Sequence, residues 1–239
     1  MRPLPPPPLL VGVAADLAIL RTVARQASGR RGVDAVEARL DLYPRNGIVE
    51  ALRLCERLEK SGTPTLATCR LASEGGGWAA DDAERAALLG AATSVCAMVD
   101  VELRSRHLAA VRKAARAAHC AIVVSHHNFR RTPSRVSLEG IIRRAGASGG
   151  DIVKVSVFVR APQDHATLVG LMLKYQHRPL CLIGMGTAGL PLRVYLSAVG
   201  SLLTYAALGK PTAPGQPSVA DLRAALRACS SSFRARTSS

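Results

Sequence analysis

At 239 residues, 48% of them hydrophobic, the chain is long enough to bury a large core in one domain. Its 32 Lys+Arg against 17 Asp+Glu leave a formal net charge of +15, yet only 3% of residues are aromatic, a poor composition for stacking nucleic-acid bases. No apolar run approaches the ~18 residues that span a bilayer, which argues against a membrane helix.

The segment from Met1 to Pro8 carries one arginine and five prolines; it reads as a short flexible tail and lacks the apolar core of a secretory signal. From residue 9 onward, short apolar runs alternate with longer Ala/Leu/Arg segments of helical period. Strands are expected at 9–14, 35–39, 65–69, 97–101, 121–125, 152–156, 180–184 and 201–205. Helices are expected at roughly 16–29, 46–61, 81–94, 103–118, 134–147, 162–176, 191–199 and 218–229. In the seventh helix Pro191 must occupy the first turn, where proline is tolerated. A basic Ser/Arg tail over 230–239 is expected to be disordered. Eight strands alternating with eight helices predict a single-domain (β/α)8 TIM barrel over residues 9–229.

Singly placed arginines such as Arg21, Arg25, Arg53, Arg57, Arg112 and Arg116 fall on predicted helix faces. A solvated basic surface is therefore favoured over a nucleic-acid footprint. The six cysteines show no C-x-x-C pair and read as reduced packing residues of a soluble cytoplasmic protein. Gly184-Met185-Gly186-Thr187-Ala188-Gly189 spells a G-x-G-x-x-G pattern after a strand, but no Asp or Glu lies between Gly189 and Gly215. A dinucleotide-binding doubly wound sheet wants one there. A glycine-rich loop this late in a barrel more often binds an anion through backbone N–H groups.

In a barrel the carboxyl ends of all strands meet on one face, so polar residues there form one site. Lys154 stands in an otherwise apolar strand, Asp151-Ile152-Val153-Lys154. It is either a nucleophile, because burial favours the neutral amine, or a side chain that snorkels to water. His127 can take and return a proton, while its neighbour His126 points elsewhere if the segment is extended. Glu74 either orients His127 or is a solvated residue of its Gly-rich loop. Arg39, Arg70 and Arg193 offer planar forks for a carboxylate and hydroxyls, and their field would help hold Lys154 neutral. Glu37 and Asp41, alternating with Arg39, bind hydroxyls or pair with an arginine.

These stretches resemble the type I 3-dehydroquinate dehydratases, the Schiff-base-forming class of the shikimate pathway. The likeness runs from about residue 9 to 229. It rests on Glu37-x-Arg39-x-Asp41, Thr68-x-Arg70 with Glu74-Gly75-Gly76, Val99-Asp100-Val101-Glu102-Leu103, Ser125-x-His127-x-Phe129-x-x-Thr132-Pro133 and Asp151-Ile152-Val153-Lys154. It continues through Met185-Gly186-x-x-Gly189-x-x-x-Arg193, Gly200-Ser201-x-x-Thr204-Tyr205 and Ala213-Pro214-Gly215-Gln216. The resemblance implies that Lys154 forms an imine with the C3 ketone of 3-dehydroquinate. It implies that His127, supported by Glu74, moves the protons of a dehydration to 3-dehydroshikimate. Glu37, Arg39, Arg70, Arg193, Thr212 and Gln216 match substrate-binding positions, with Arg193 on the carboxylate. It further implies no cofactor, no metal, a cytoplasmic homodimer, and neither nucleic-acid nor membrane partners.

The chain departs from the family pattern at Asn128, commonly Asp, and at Leu192, commonly Ser; the former removes a charge beside the imidazole, the latter loosens one contact. Thr212 replaces a serine and keeps its hydroxyl. The start of the first strand near the amino terminus leads us to expect at most a minimal hairpin beneath the barrel. Glycines at 74–78 suit a hinged lid, and the residues at 210–217 a fixed turn. The competing readings are another imine-forming lyase or aldolase on the same barrel, and a non-catalytic metabolite-binding descendant.

Overall fold

The computed structural model describes residues 7–26, 32–78, 81–231 and 233–234. Eight strands, β1 Leu9–Ala14, β2 Ala35–Arg39, β3 Thr65–Thr68, β4 Met98–Glu102, β5 Ala121–Asn128, β6 Ile152–Phe158, β7 Leu180–Met185 and β8 Leu203–Ala207, are each followed by a helix. The helices are α1 Leu17–Arg25, α2 Ile48–Lys60, α3 Asp82–Ala92, α4 Leu108–Ala117, α5 Arg135–Ala147, α6 Pro162–Tyr175, α7 Leu190–Ala198 and α8 Val219–Cys229. All ladder pairs are parallel and sequential, and β8 returns to pair with β1. The β7–β8 seam is bridged by the Leu202 amide on the Leu180 carbonyl, 2.9 Å. The architecture is a single-domain (β/α)8 barrel.

Period-two alternation sorts side chains between two cores. Leu9, Val11 and Val13 of β1, Ala35 of β2, Leu66 of β3, Met98 of β4, Val123 of β5, Ile152 of β6 and Cys181 of β7 fill the barrel interior. The alternate residues, such as Val36, Ala67, Val99, Val124 and Val153, pack outward against the helices. Helix starts follow local chemistry: Asp16, Asp81, Ser134 and Ser218 cap α1, α3, α5 and α8. Pro162 and Pro191 sit in the first turns of α6 and α7, where their missing N–H is no loss.

Four of the boundaries that differ from the sequence expectation have a local cause. β8 starts at Leu203 because the Ser201 amide is taken by the Leu196 carbonyl at the end of α7. α4 starts at Leu108 because the Leu103 amide still bonds across to Ser125, and Ser105 then turns back on Glu102. β5 runs on to Asn128, which brings His126 and His127 into the ladder with β6. The packed chain passes Ser230, whose amide continues α8 onto Leu226, because Phe233 buries its ring beside Leu10, Ala206 and Leu226. Residues 1–6 and 235–239 of the expected tails, and 27–29 of the first helix, lie outside the described residues.

Candidate active site

In β2 to β6 the inward alternation turns polar toward the carboxyl end: Glu37 and Arg39, Thr68 and Arg70, Asp100 and Glu102, Ser125 and His127, Lys154 and Ser156. Lys154, 4% exposed, extends Nζ to 3.0 Å from Asp100 Oδ2 and 3.8 Å from Glu37 Oε1. The ring of Tyr205 lies 4.2 Å from the amine, a cation–π contact. Asp100 is the hub. It accepts both Arg70 nitrogens at 2.9 and 2.8 Å and the Ser125 hydroxyl at 2.6 Å. Burial alone would raise its carboxyl, but Arg70 and Lys154 hold it well below the usual carboxylate range. Glu102 takes Arg70 at 3.0 Å on one oxygen and Arg85 at 2.7 Å on the other, so buried charges meet opposite charges, as burial demands.

His127 closes the opposite wall. Its Nδ1 and its own amide both lie 2.9 Å from Glu74 Oε2. Burial, with the charges of Arg70 and Lys154, keeps the imidazole well below its ordinary pKa. The Glu74 carboxyl is pushed up to about 7, chiefly by burial, with Arg70 opposing. Near neutral pH the imidazole is therefore uncharged, and a Nδ1–H donated to ionised Glu74 leaves Nε2 as the proton acceptor.

Arg193, in the first turns of α7, is 3% exposed. Its Nη1 donates to the Tyr205 carbonyl at 3.2 Å, Nε has no partner among the described residues, and burial pushes the guanidinium down to about 10. Arg39, by contrast, is held bidentate by Asp41 at 2.9 and 2.8 Å. Gln216 Oε1 accepts from the Thr212 amide and hydroxyl at 2.7 and 3.1 Å. That loop is docked on the turn after β7: the Gly186 amide donates to the Pro214 carbonyl at 2.9 Å. A Cβ at Gly215 would lie 2.2 Å from the Gly186 carbonyl oxygen, at φ +67, so glycine alone allows this approach.

All nine residues expected from the sequence, Lys154, His127, Glu74, Glu37, Arg39, Arg70, Arg193, Thr212 and Gln216, line one pocket open at its mouth. The expected free forks at Arg39 and Arg70 are instead occupied by Asp41, Asp100 and Glu102. The arginine field expected at Lys154 is met by Asp100 and Glu37. Glu74, 1% exposed, is a buried partner of His127 and not a solvated loop residue. The 74–78 loop is fastened: the Gly77 amide bonds Asp41 at 2.9 Å, Arg45 stacks 4.1 Å from the Trp78 ring, and a Cβ at Gly76 would meet the Arg70 carbonyl oxygen at 1.9 Å. His126, out of phase with His127, faces away from the barrel axis beside Arg104 and Arg144. Asn128 uses Oδ1 to accept the amides of Arg130 and Arg131, a turn-forming role. Leu192 is a core residue that fits where Gly184 has no Cβ, so it lines no part of the pocket.

Sequence reasoning gave Asp100, Glu102, Ser125 and Tyr205 no individual role. The available signal was the alternation in Met98-Val99-Asp100-Val101-Glu102, which places two acids on the inward face of a strand. Among the described residues no cluster of His, Cys, Asp and Glu could hold a metal ion.

The type I 3-dehydroquinase family model matches residues 13–232. A 3-dehydroquinate dehydratase of Methanothrix thermoacetophila is 34% identical over 221 residues, covering 92% of this chain and 91% of that protein. One of Methanothermobacter thermautotrophicus is 39% identical over 188 residues, covering 79% and 81%. The crystal structure of 3-dehydroquinate dehydratase from Geobacillus kaustophilus superposes with a TM-score of 0.83 at 28% identity, covering 92% of this chain and 90% of that one. A match over nearly the whole barrel, with the nine expected residues lining one pocket, leaves one conclusion: the chain belongs to the type I 3-dehydroquinase family.

Proposed function

We propose that this pocket performs the reaction of its family, a hydro-lyase reaction that removes water from 3-dehydroquinate to give 3-dehydroshikimate through an imine on Lys154. The observation that carries the reading is Arg193. Among the described residues lining the pocket it is the one cation without a carboxylate within ion-pair distance, whereas Arg39, Arg70 and Lys154 each have one. A buried guanidinium left unpaired by its own chain suits a substrate that brings a carboxylate. A phosphorylated sugar, the substrate class of the competing aldolase reading, would bring a dianion to that single cation.

In this reading the Lys154 amine, once deprotonated, adds to the C3 carbonyl carbon, and the carbinolamine loses water to give the protonated imine. Asp100 and Glu37 stand where they offset a positive charge on Nζ, so the iminium finds its counter-charges already in place. His127 Nε2 takes the C2 proton, and the electron pair moves into the imine as an enamine. When the pair returns, the C1–O bond breaks and His127 gives its proton to the departing hydroxyl. Water then adds to the imine carbon, releasing 3-dehydroshikimate and the free amine. Glu74 holds the imidazole orientation, and Glu37, Arg39, Arg70, Thr212 and Gln216 position the ring. Neither a metal nor a cofactor has a part in this scheme.

Borohydride with 3-dehydroquinate should add one reduced substrate mass to Lys154, and Lys154→Ala should keep the fold but lose both the adduct and turnover. An unmodified Lys154 would overturn the mechanism. We also infer a cytoplasmic homodimer without nucleic-acid or membrane partners. This rests on the family resemblance and on the finding that no helix among the described residues is long and apolar enough to cross a membrane. Sedimentation at twice the chain mass of 25.2 kDa supports the dimer; a monomer rejects it.

A further inference from the structure

Among the described residues, five buried side-chain nitrogen or oxygen atoms make no hydrogen bond: Glu74 Oε1, Arg85 Nη2, Glu102 Oε2, Arg193 Nε and Tyr205 Oη. Two of these sit in ion pairs, Arg85 Nη2 2.8 Å from Asp82 and Glu102 Oε2 2.7 Å from Arg85. The remaining three belong to residues that line the same pocket. Glu74 and Arg193 already have roles in the reaction scheme; the tyrosine hydroxyl has none. We infer that the Tyr205 hydroxyl is a substrate-binding group, donating a hydrogen bond to an oxygen of the bound ring close to the carbon that Lys154 attacks. This rests on the imine reading above.

Tyr205 is inward on β8 and 4% exposed. Its ring touches the Lys154 amine at 4.2 Å, and its carbonyl takes Nη1 of Arg193 at 3.2 Å. One residue thus touches the amine through its ring and the carboxylate fork through its carbonyl, and it lines the pocket that holds both. Phenylalanine would supply the same ring, the same cation–π contact and the same carbonyl. A buried hydroxyl without a partner is a net loss in the free protein, so the oxygen is explained by what it meets when a polyhydroxylated ring arrives. Burial raises the phenol well above its ordinary pKa, so it remains a donor across the neutral range.

The test is Tyr205→Phe beside the wild type, with 3-dehydroquinate as substrate. The variant fits the same cavity, so its melting temperature should equal or exceed that of the wild type. Its kcat/KM should fall about 5- to 10-fold, the loss expected for one neutral hydrogen bond. Borohydride trapping at Lys154 should slow in proportion. A variant whose kcat/KM stays within about twofold of wild type, or which melts several degrees lower, would overturn the inference, the latter by showing that the hydroxyl has a partner inside the protein. If wild-type protein is itself neither active nor trapped at Lys154, the underlying imine reading fails first. An active wild type with an equally active variant rejects the tyrosine role alone.

Discussion

Replacing Arg193 by methionine should make the free protein more stable and nearly useless as a catalyst. The guanidinium is 3% exposed, lacks a carboxylate and has one hydrogen bond, to the Tyr205 carbonyl. Burial lowers it from the ordinary 12.5 to about 10. At 1.36 kcal/mol per pH unit that difference corresponds to roughly 3 kcal/mol of desolvation borne by the folded state. The lost hydrogen bond gives back about 1 kcal/mol, so Arg193→Met should gain about 2 kcal/mol, or some 4–8 °C in melting temperature for a domain of this size. The sign is that of a cation whose folded pKa lies below its unfolded one. The cost is complete wherever the group is charged in both states and fades only above about pH 10, so the gain should be constant from pH 6 to 9. In the proposed reaction the same change removes the charge that meets the substrate carboxylate, and truncating one side of such a pair costs about 2–5 kcal/mol. Thermal scans at several pH values and steady-state kinetics measure both halves. A variant that melts several degrees lower while keeping kcat/KM within about tenfold of wild type would refute the reasoning, because Arg193 would then be a structural ion-pair partner.

Asp100→Asn should be the reverse case, costing about 3–5 kcal/mol in urea unfolding because Lys154 and part of Arg70 lose their buried counter-charge; a loss under about 1 kcal/mol would reject the hub role. The Asp100 carboxyl is depressed in the folded state, so its contribution is present above the unfolded value of about 3.9 and is lost as pH falls through the lower folded one. The variant should accordingly lose less stability than wild type on acidification. Glu74 has the opposite sign: its folded value of about 7 lies above the usual carboxyl value, so its contribution is complete at low pH and disappears as pH rises through about 7. Wild-type kcat/KM should rise with pH through about 7 as the Glu74–His127 pair loses its proton, and Glu74→Gln should abolish that inflection. An unchanged profile in the variant would show that Glu74 does not set it.

The eight-fold alternation of apolar runs and amphipathic segments was legible because burial on two faces gives parallel strands nearly continuous hydrophobicity, and a lysine interrupting such a run stands out. Glu74 was not decidable, since a carboxylate beside Gly75-Gly76-Gly77 reads equally as solvent-exposed until the loop is seen folded under Arg70 and Phe129. The engagement of Arg70 by Asp100 and Glu102 depends on the β3–β4 register that sets Thr68 beside Asp100, and register belongs to the sheet, not to either strand. Asn128 and Leu192 look like departures from a catalytic pattern in one dimension. In three, the first caps a turn and the second fills the outer core: His127 and Phe129 beside Asn128, and Arg193 beside Leu192, line the pocket, and these two do not.

The charge that dominates the composition and the charge that governs the site are separate. Much of the +15 lies on helix faces, where Arg21 pairs with Glu50, Arg116 with Asp151 and Lys174 with Glu139 and each cation is about half exposed. Salt screens such groups within about 8 Å at physiological strength, so they can draw anions toward the molecule but cannot distinguish one carboxylate from another. In the buried interior the two signs are matched: four acids, Glu37, Asp41, Asp100 and Glu102, meet the cations Arg39, Arg70, Arg85 and Lys154. Two of those acids converge on one nitrogen, Lys154 Nζ, where the proposed iminium would carry its positive charge. In that proposal the interior needs little rearrangement as the imine forms. Among the described residues, what remains unbalanced is the Arg193 guanidinium and two oxygens, on Glu74 and Tyr205. Those deficits describe the ligand by complement, an anion bearing hydroxyls, which the family reading requires and which no count of surface arginines could have specified.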